Sequence, residues 1–153
     1  MWSTEIRVTR NDTRDDIEIY RDYIKECYGQ DLDSFEFELR NWETTPGNGY
    51  WLATHNHGHS QFTIIRYVEV DGSGGELLIQ DPRPNANRNW PAELGGQFAP
   101  LVVQPESGMT VIFPSFCYHQ AAPFTGRIRR ATVSEIELYS RTEEPGEMGT
   151  SSV

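Results

Sequence analysis

The sequence predicts a mainly β protein, a jelly-roll type barrel entered through a single helix. Three observations predict it. Helical apolar spacing occurs once, near the N-terminus; short runs of alternating apolar and polar residues follow; and Gly, Pro, Asn and Asp clusters punctuate those runs. A barrel of this kind offers a mouth that can hold a small ligand.

Each element has its own warrant. Thr4–Arg10 alternates like an edge strand, and Asn11-Asp-Thr13 reads as a helix cap. Ile17, Tyr20, Tyr23, Ile24 and Cys27 then recur at helical spacing, which predicts one amphipathic helix over about residues 13–28. Phe35, Phe37 and Leu39 alternate with charged neighbours, as in a strand. Further strand candidates are Tyr50–Ala53, Gln61–Val70, Glu76–Ile79, Thr110–Phe113, Tyr118–Ala121 and Ala131–Leu138. Asp71-Gly-Ser-Gly-Gly75 reads as the tight turn of a hairpin. Residues 81–100 lack periodicity and form a loop long enough to be functional by length alone. The 153 residues fit one domain, 1–140, followed by a polar tail at 141–153 expected to be disordered.

Composition narrows the partners. A formal net charge of -10 argues against nucleic acid and against an anionic membrane surface, since both need a basic face. Cys27 and Cys117 lie far apart, and there is neither a signal-like apolar start nor a run long enough to span a bilayer. Reduced thiols in the cytoplasm are the expectation. An exposed edge strand near residues 4–10 allows either a monomer or a homodimer.

Three of the four histidines fall within five positions, His55, His57 and His59, and the fourth is His119. Residues two apart on a strand share a face, so two imidazoles of the cluster can chelate one ion, with His119 joining from a neighbouring strand. Imidazole serves iron, zinc, copper and nickel alike, and a histidine-rich run can also be a loop with incidental metal affinity. Spacing alone does not separate these.

The order of the downstream segments adds a resemblance. His55-Asn-His57, Thr63-Ile-Ile-Arg-Tyr-Val68, Gly75-Glu-Leu-Leu-Ile-Gln-Asp-Pro-Arg83, Gly108-Met-Thr-Val-Ile-Phe-Pro-Ser115 with His119, and Arg130-Ala-Thr132 follow one another. In that order the chain resembles the iron(II) and 2-oxoglutarate-dependent oxygenases, within a small phage and bacterial branch similar to prolyl hydroxylases. The resemblance implies a double-stranded β-helix, cupin-like, with Fe(II) and 2-oxoglutarate as cofactor and cosubstrate. It implies hydroxylation of a C–H bond in an amino acid, peptide or protein side chain.

The resemblance also implies roles. His119 matches the distal metal ligand, and His55 and His57 supply the other two. Arg130 with Thr132 would bind the far carboxylate of 2-oxoglutarate, a task suited to a planar guanidinium beside a hydroxyl. Arg127 and Arg129 lie nearby, where one arginine in such a run is often only a solvated charge, and the strand phase after Arg130 favours it over the others. Tyr67 falls where a tyrosine contacts the same carboxylate, with Thr63 on its face, although a core aromatic fits Tyr67 equally well. Arg83 would meet an acidic group of the substrate at the rim, whereas the plain reading of Asp81-Pro-Arg83 is a turn.

One departure stands out. The superfamily's usual His-x-Asp is His55-x-His57 in this chain, so the carboxylate ligand is missing. Other registers stay open: His57 with His59, a two-histidine site of His57 and His119, or Asp81 as a carboxylate ligand. Two rival functions remain as well, a cupin-type three-histidine iron dioxygenase without 2-oxoglutarate and a non-catalytic metal- or ligand-binding barrel.

Overall fold

The computed structural model describes residues 2–84, 88–95 and 98–141. A 3-10 turn, Trp2–Glu5, leads into β1 (Arg7–Arg10) and helix α1 (Asp16–Tyr28). The strands that follow are β2 (Phe35–Thr44), β3 (Leu52–His55), β4 (Phe62–Val70), β5 (Leu77–Ile79), β6 (Leu101–Val103), β7 (Met109–Pro114), β8 (His119–Ala121) and β9 (Arg129–Ser140). They form two antiparallel sheets, β1-β7-β4-β9-β2 and β3-β8-β5-β6, the two walls of a jelly roll.

The middle strands of the larger sheet are buried on both faces, which is why the sequences of β4 and β7 run largely apolar. Ile65 and Tyr67 of β4 and Met109, Val111 and Phe113 of β7 face the smaller sheet, where Leu77, Ile79 and Val103 meet them. Phe62, Ile64 and Ile112 point the other way, onto Ile19, Tyr20, Tyr23 and Ile24 of α1. Strand β9 is similarly two-sided. Ser134 and Ile136 pack under the helix, where the Tyr20 hydroxyl donates to Phe62 O at 3.3 Å and lies 3.2 Å from Ser134 Oγ. Ala131 and Val133 face inward.

Several local expectations shift. The helix cap is Asp15, whose carboxylate accepts from the Glu18 N–H at 2.8 Å, and Asn11 instead sits at φ 57 with its N–H on Gly108 O. Asp12 is engaged elsewhere: the Arg14 guanidinium holds its carboxyl down at about 2. The edge strand begins at Arg7 rather than Thr4, because a 3-10 turn takes up the residues before it.

The Asp71–Gly75 turn joins no hairpin. It carries the chain from β4 in one sheet to β5 in the other, while the Asp71 carboxylate accepts from the N–H groups of Arg127 and Ile128 at 2.8 and 2.7 Å. Gly74 has φ 79, and a Cβ there would collide with the Pro123 carbonyl. Strand β6 was not expected, because a strand of three residues, Leu101–Val103, is too short for alternation to register. The 81–100 segment also contains a short 3-10 turn, Ala92–Leu94. All but the first residue of the expected tail lies outside the described residues.

Ile136 is fully buried between β9 and the helix. Ile136→Ala is expected to cost about 2–5 kcal/mol, read as a lower urea midpoint in equilibrium unfolding.

Candidate metal centre

The histidines are brought together by strand register. Strand β3 pairs with β8 so that Leu52 lies opposite Ala121 and His55 opposite His119, three steps on one strand against two on the other. The extra residue is a bulge, and it re-phases β3 so that Leu52 and His55 both face the interior. His119 is also flanked by Ile79 of β5. The strand stops at His55, but the His57 N–H donates to Ser115 O at 3.2 Å and holds the next turn of chain against the β7–β8 corner.

One ring nitrogen from each of His55, His57 and His119 lies within 4.8 Å of those of the other two. The ring centroids of His55 and His119 are 4.3 Å apart, and His57 stacks parallel to His119 at 5.1 Å. Phe113 meets His119 edge-on, and Trp42 covers His57 at 6.1 Å.

The second ring nitrogens are all engaged. His55 Nδ1 lies 2.7 Å from Ala53 O, His119 Nδ1 lies 3.0 Å from Cys117 O, and His57 Nδ1 lies 2.9 Å from Glu135 Oε2. Carbonyl and carboxylate oxygens only accept, so each Nδ1 carries a hydrogen and Nε2 is the atom left to ligate a metal. Burial pushes His119 down to about 4, so it stays neutral and able to ligate at neutral pH. Three convergent imidazoles fit a borderline divalent metal such as Fe(II).

These rings line one end of a cavity of about 240 Å³, whose other walls include Tyr67, Leu77, Arg129, Ala131 and Val133. Here the expected phase of β9 is off by one residue. Arg129 is 8% exposed and lies over the rings of Tyr67 and Phe124 at 5.4 and 5.6 Å. Gly75 makes its berth: at φ 68, a Cβ would collide with the guanidinium. Arg130 points outward, 3.8 Å from Glu43 and 4.0 Å from Glu69, and Thr132 does not line the cavity. The reason is the two-faced burial of β9, which turns Arg129 in with Ala131 and Val133.

The remaining candidates divide as follows. Tyr67 lines the cavity, and burial raises its hydroxyl pKa against the opposing pull of Arg129. Thr63 shares its face but is fully buried, with its hydroxyl 2.7 Å from Ser115 Oγ. Arg83 binds Asp81 at 2.6 Å and lies over Phe98, outside the cavity. Asp81 belongs to that pair and to a turn closed by the Arg83 N–H, and it does not join the histidine cluster. His59 is exposed and apart from it. Arg129, Glu135 and Trp42 were missed; a strand phase counted from Ala131 would have found the first two.

Residues 40–135 match the family model described as "Putative 2OG-Fe(II) oxygenase". The chain belongs to the 2OG-Fe(II) oxygenase family. Members of that family use Fe(II) and 2-oxoglutarate, and the three-histidine cluster lies within the matched span.

Solved structures agree on the fold. A 2OG-Fe(II) oxygenase family oxidoreductase from Burkholderia pseudomallei superposes with a TM-score of 0.58 at 13% identity, covering 78% of this chain and 52% of that one. A prolyl-4-hydroxylase from Pseudomonas putida gives 0.58 at 14% identity, covering 86% and 71%. A viral collagen prolyl hydroxylase from Paramecium Bursaria Chlorella virus-1, solved as a 2OG complex, gives 0.50 at 13%, covering 88% and 80%. This family member therefore spans about half the length of the first of these. No curated protein matches the chain.

Titration with Co(II), a spectroscopic stand-in for Fe(II), tests the cluster. His55→Ala, His57→Ala and His119→Ala should each weaken binding at least about tenfold, and His59→Ala and Asp81→Asn should leave it unchanged. Acid should destabilise the metal-free protein between pH 6.5 and about 4, because over that window the unfolded chain takes up a proton that folded His119 refuses. Urea midpoints measured across that range check the sign.

Proposed function

We propose that this chain hydroxylates a C–H bond with Fe(II) held by Nε2 of His55, His57 and His119, and with 2-oxoglutarate anchored by Arg129. Fe(II) at that position would activate dioxygen while 2-oxoglutarate is decarboxylated to succinate. The rest falls to the protein. Backbone and carboxylate acceptors on the three Nδ1 atoms hold the lone pairs convergent, and Ile65, Leu77, Ala131 and Val133 keep that end of the cavity dry.

The observation that carries the reading is Arg129. Its guanidinium is buried against two aromatic rings, and no carboxylate among the described residues lies within 4.0 Å of it. A buried cation is costly unless it is paired, so the cavity it faces suits an anionic ligand. A dicarboxylate meets both needs, with one end at the metal and the other on Arg129 beside the Tyr67 hydroxyl.

The mouth is lined by Trp42, Pro46, Tyr50 and Leu52, neutral and largely apolar. That lining suits an uncharged part of an amino acid, peptide or protein side chain, and the net charge of -10 disfavours acidic substrates and nucleic acid. Both cysteines are free, and among the described residues no helix is long and apolar enough to cross a membrane. A cytoplasmic location is the reading these support. Strand β1, an exposed sheet edge, is compatible with a monomer or a homodimer.

The all-imidazole ligand set favours one other reading, a three-histidine iron dioxygenase that does not use 2-oxoglutarate. Succinate formation with Fe(II), 2-oxoglutarate and candidate peptides separates the two. Arg129→Ala should raise the KM for 2-oxoglutarate at least about thirtyfold, the effect of deleting one partner of a buried charge pair. Arg130→Ala should change it less than about twofold. Turnover without 2-oxoglutarate, or an Arg129→Ala variant with unaltered KM, would favour the alternative.

A further inference from the structure

We infer that Glu135 supplies the negative charge that three neutral imidazoles lack, delivering it through His57 to the metal. This rests on the proposed iron site and concerns a residue that touches the metal only through another. Glu135 is therefore a positioning and charge-supplying residue.

The three ligand candidates are not equivalent. His55 and His119 donate from Nδ1 to neutral backbone carbonyls, whereas His57 donates to a carboxylate at 2.9 Å. The side chains of His57 and Glu135 are only 13% and 12% exposed, so their interaction is weakly screened. His57 also occupies the place of the acidic residue in the usual His-x-Asp arrangement. The carboxylate has not vanished from that corner; it stands one imidazole further back.

Charge counting makes the same point. A divalent ion with two imidazoles and one carboxylate carries net +1, and with three imidazoles +2. Adding Glu135 behind His57 returns the sum to +1.

The surroundings hold Glu135 in place. It lies on β9 opposite Thr63 of β4 and Arg40 of β2, in phase with Ala131 and Val133. Ser60 Oγ is 3.4 Å from Oε2, and Ser60 joins Ser115 and Thr63 in a chain of hydroxyls with 2.7 Å links. Arg40 lies 3.7 Å from Oε1, but it is half exposed and shared with Glu137 at 3.4 Å and Glu38 at 3.9 Å, so it does not neutralise Glu135 alone. Trp42 stacked on His57 limits water access to the pair.

Co(II) titration of the full-length chain, followed by visible absorption and by melting of the metal-free protein, tests the inference. Glu135→Gln keeps an acceptor for His57 Nδ1 and removes only the charge. It should weaken Co(II) binding about 10–100-fold and shift the absorption bands, with the metal-free melting curve unchanged. In a His57→Asp background the sign should reverse. There Glu135 crowds a second carboxylate, and adding Glu135→Gln should strengthen binding at least about tenfold.

A residue needed only for folding would weaken binding in both backgrounds, and that result overturns the inference. So does equal Co(II) affinity of Glu135→Gln and the unaltered protein when that binding is lost in His119→Ala, which leaves the metal site standing. Absence of any His119-dependent Co(II) binding in the unaltered protein would overturn the site and the role of Glu135 together.

Discussion

The pairing of β3 with β8 across a one-residue bulge is the constraint on which the centre depends. It sets His55 directly opposite His119, although 64 positions separate them in sequence. Without the extra residue, His55 would leave the face that Leu52 shares with it, and the three rings would not converge. Bulges of this kind re-aim side chains at the cost of local ladder hydrogen bonds. That cost falls in a short strand at the edge of the smaller sheet, where little regular pairing is lost.

The larger sheet provides what the smaller one cannot, a rigid floor. Helix α1 seals its outer face, so β4, β7 and β9 are held from both sides and their inward residues have little freedom. Tyr67, Ala131 and Val133 therefore present a fixed wall, with Arg129 at one end and Glu135 at the other end of the same face of β9. A single strand thus connects the cavity's buried cation with the anion behind His57. The catalytic apparatus proposed for this family member draws most of its electrostatics from alternate residues of that strand.

Much of this was legible in the sequence. Alternation gave the strands, helical spacing gave α1, and the His-x-His run with a distant histidine marked the cluster. What was not legible has physical causes. Arg129 and Arg130 are adjacent, and only the phase of β9 separates a buried cation from a solvated one; packing on both faces hides that phase, since Thr132 and Val133 are both partly buried. Asp81 and Arg83 looked like candidate site residues but satisfy each other across a turn. The Asp71–Gly75 segment carried every mark of a hairpin, and only the layer that each flanking strand joins reveals a crossover. His59 shares period and chemistry with its neighbours, yet strand β3 ends at His55, and it is His57 whose N–H is tied back to Ser115 O.

That crossover has a consequence for what the cavity can measure. Gly75 closes it, and the absence of a side chain there is what lets the Arg129 guanidinium settle over Phe124 and Tyr67. The depth of that seat fixes the span between guanidinium and imidazoles. On the proposed reading, this span is a ruler for the carbon chain of the dicarboxylate bridging them, and a turn belonging to neither sheet sets its length.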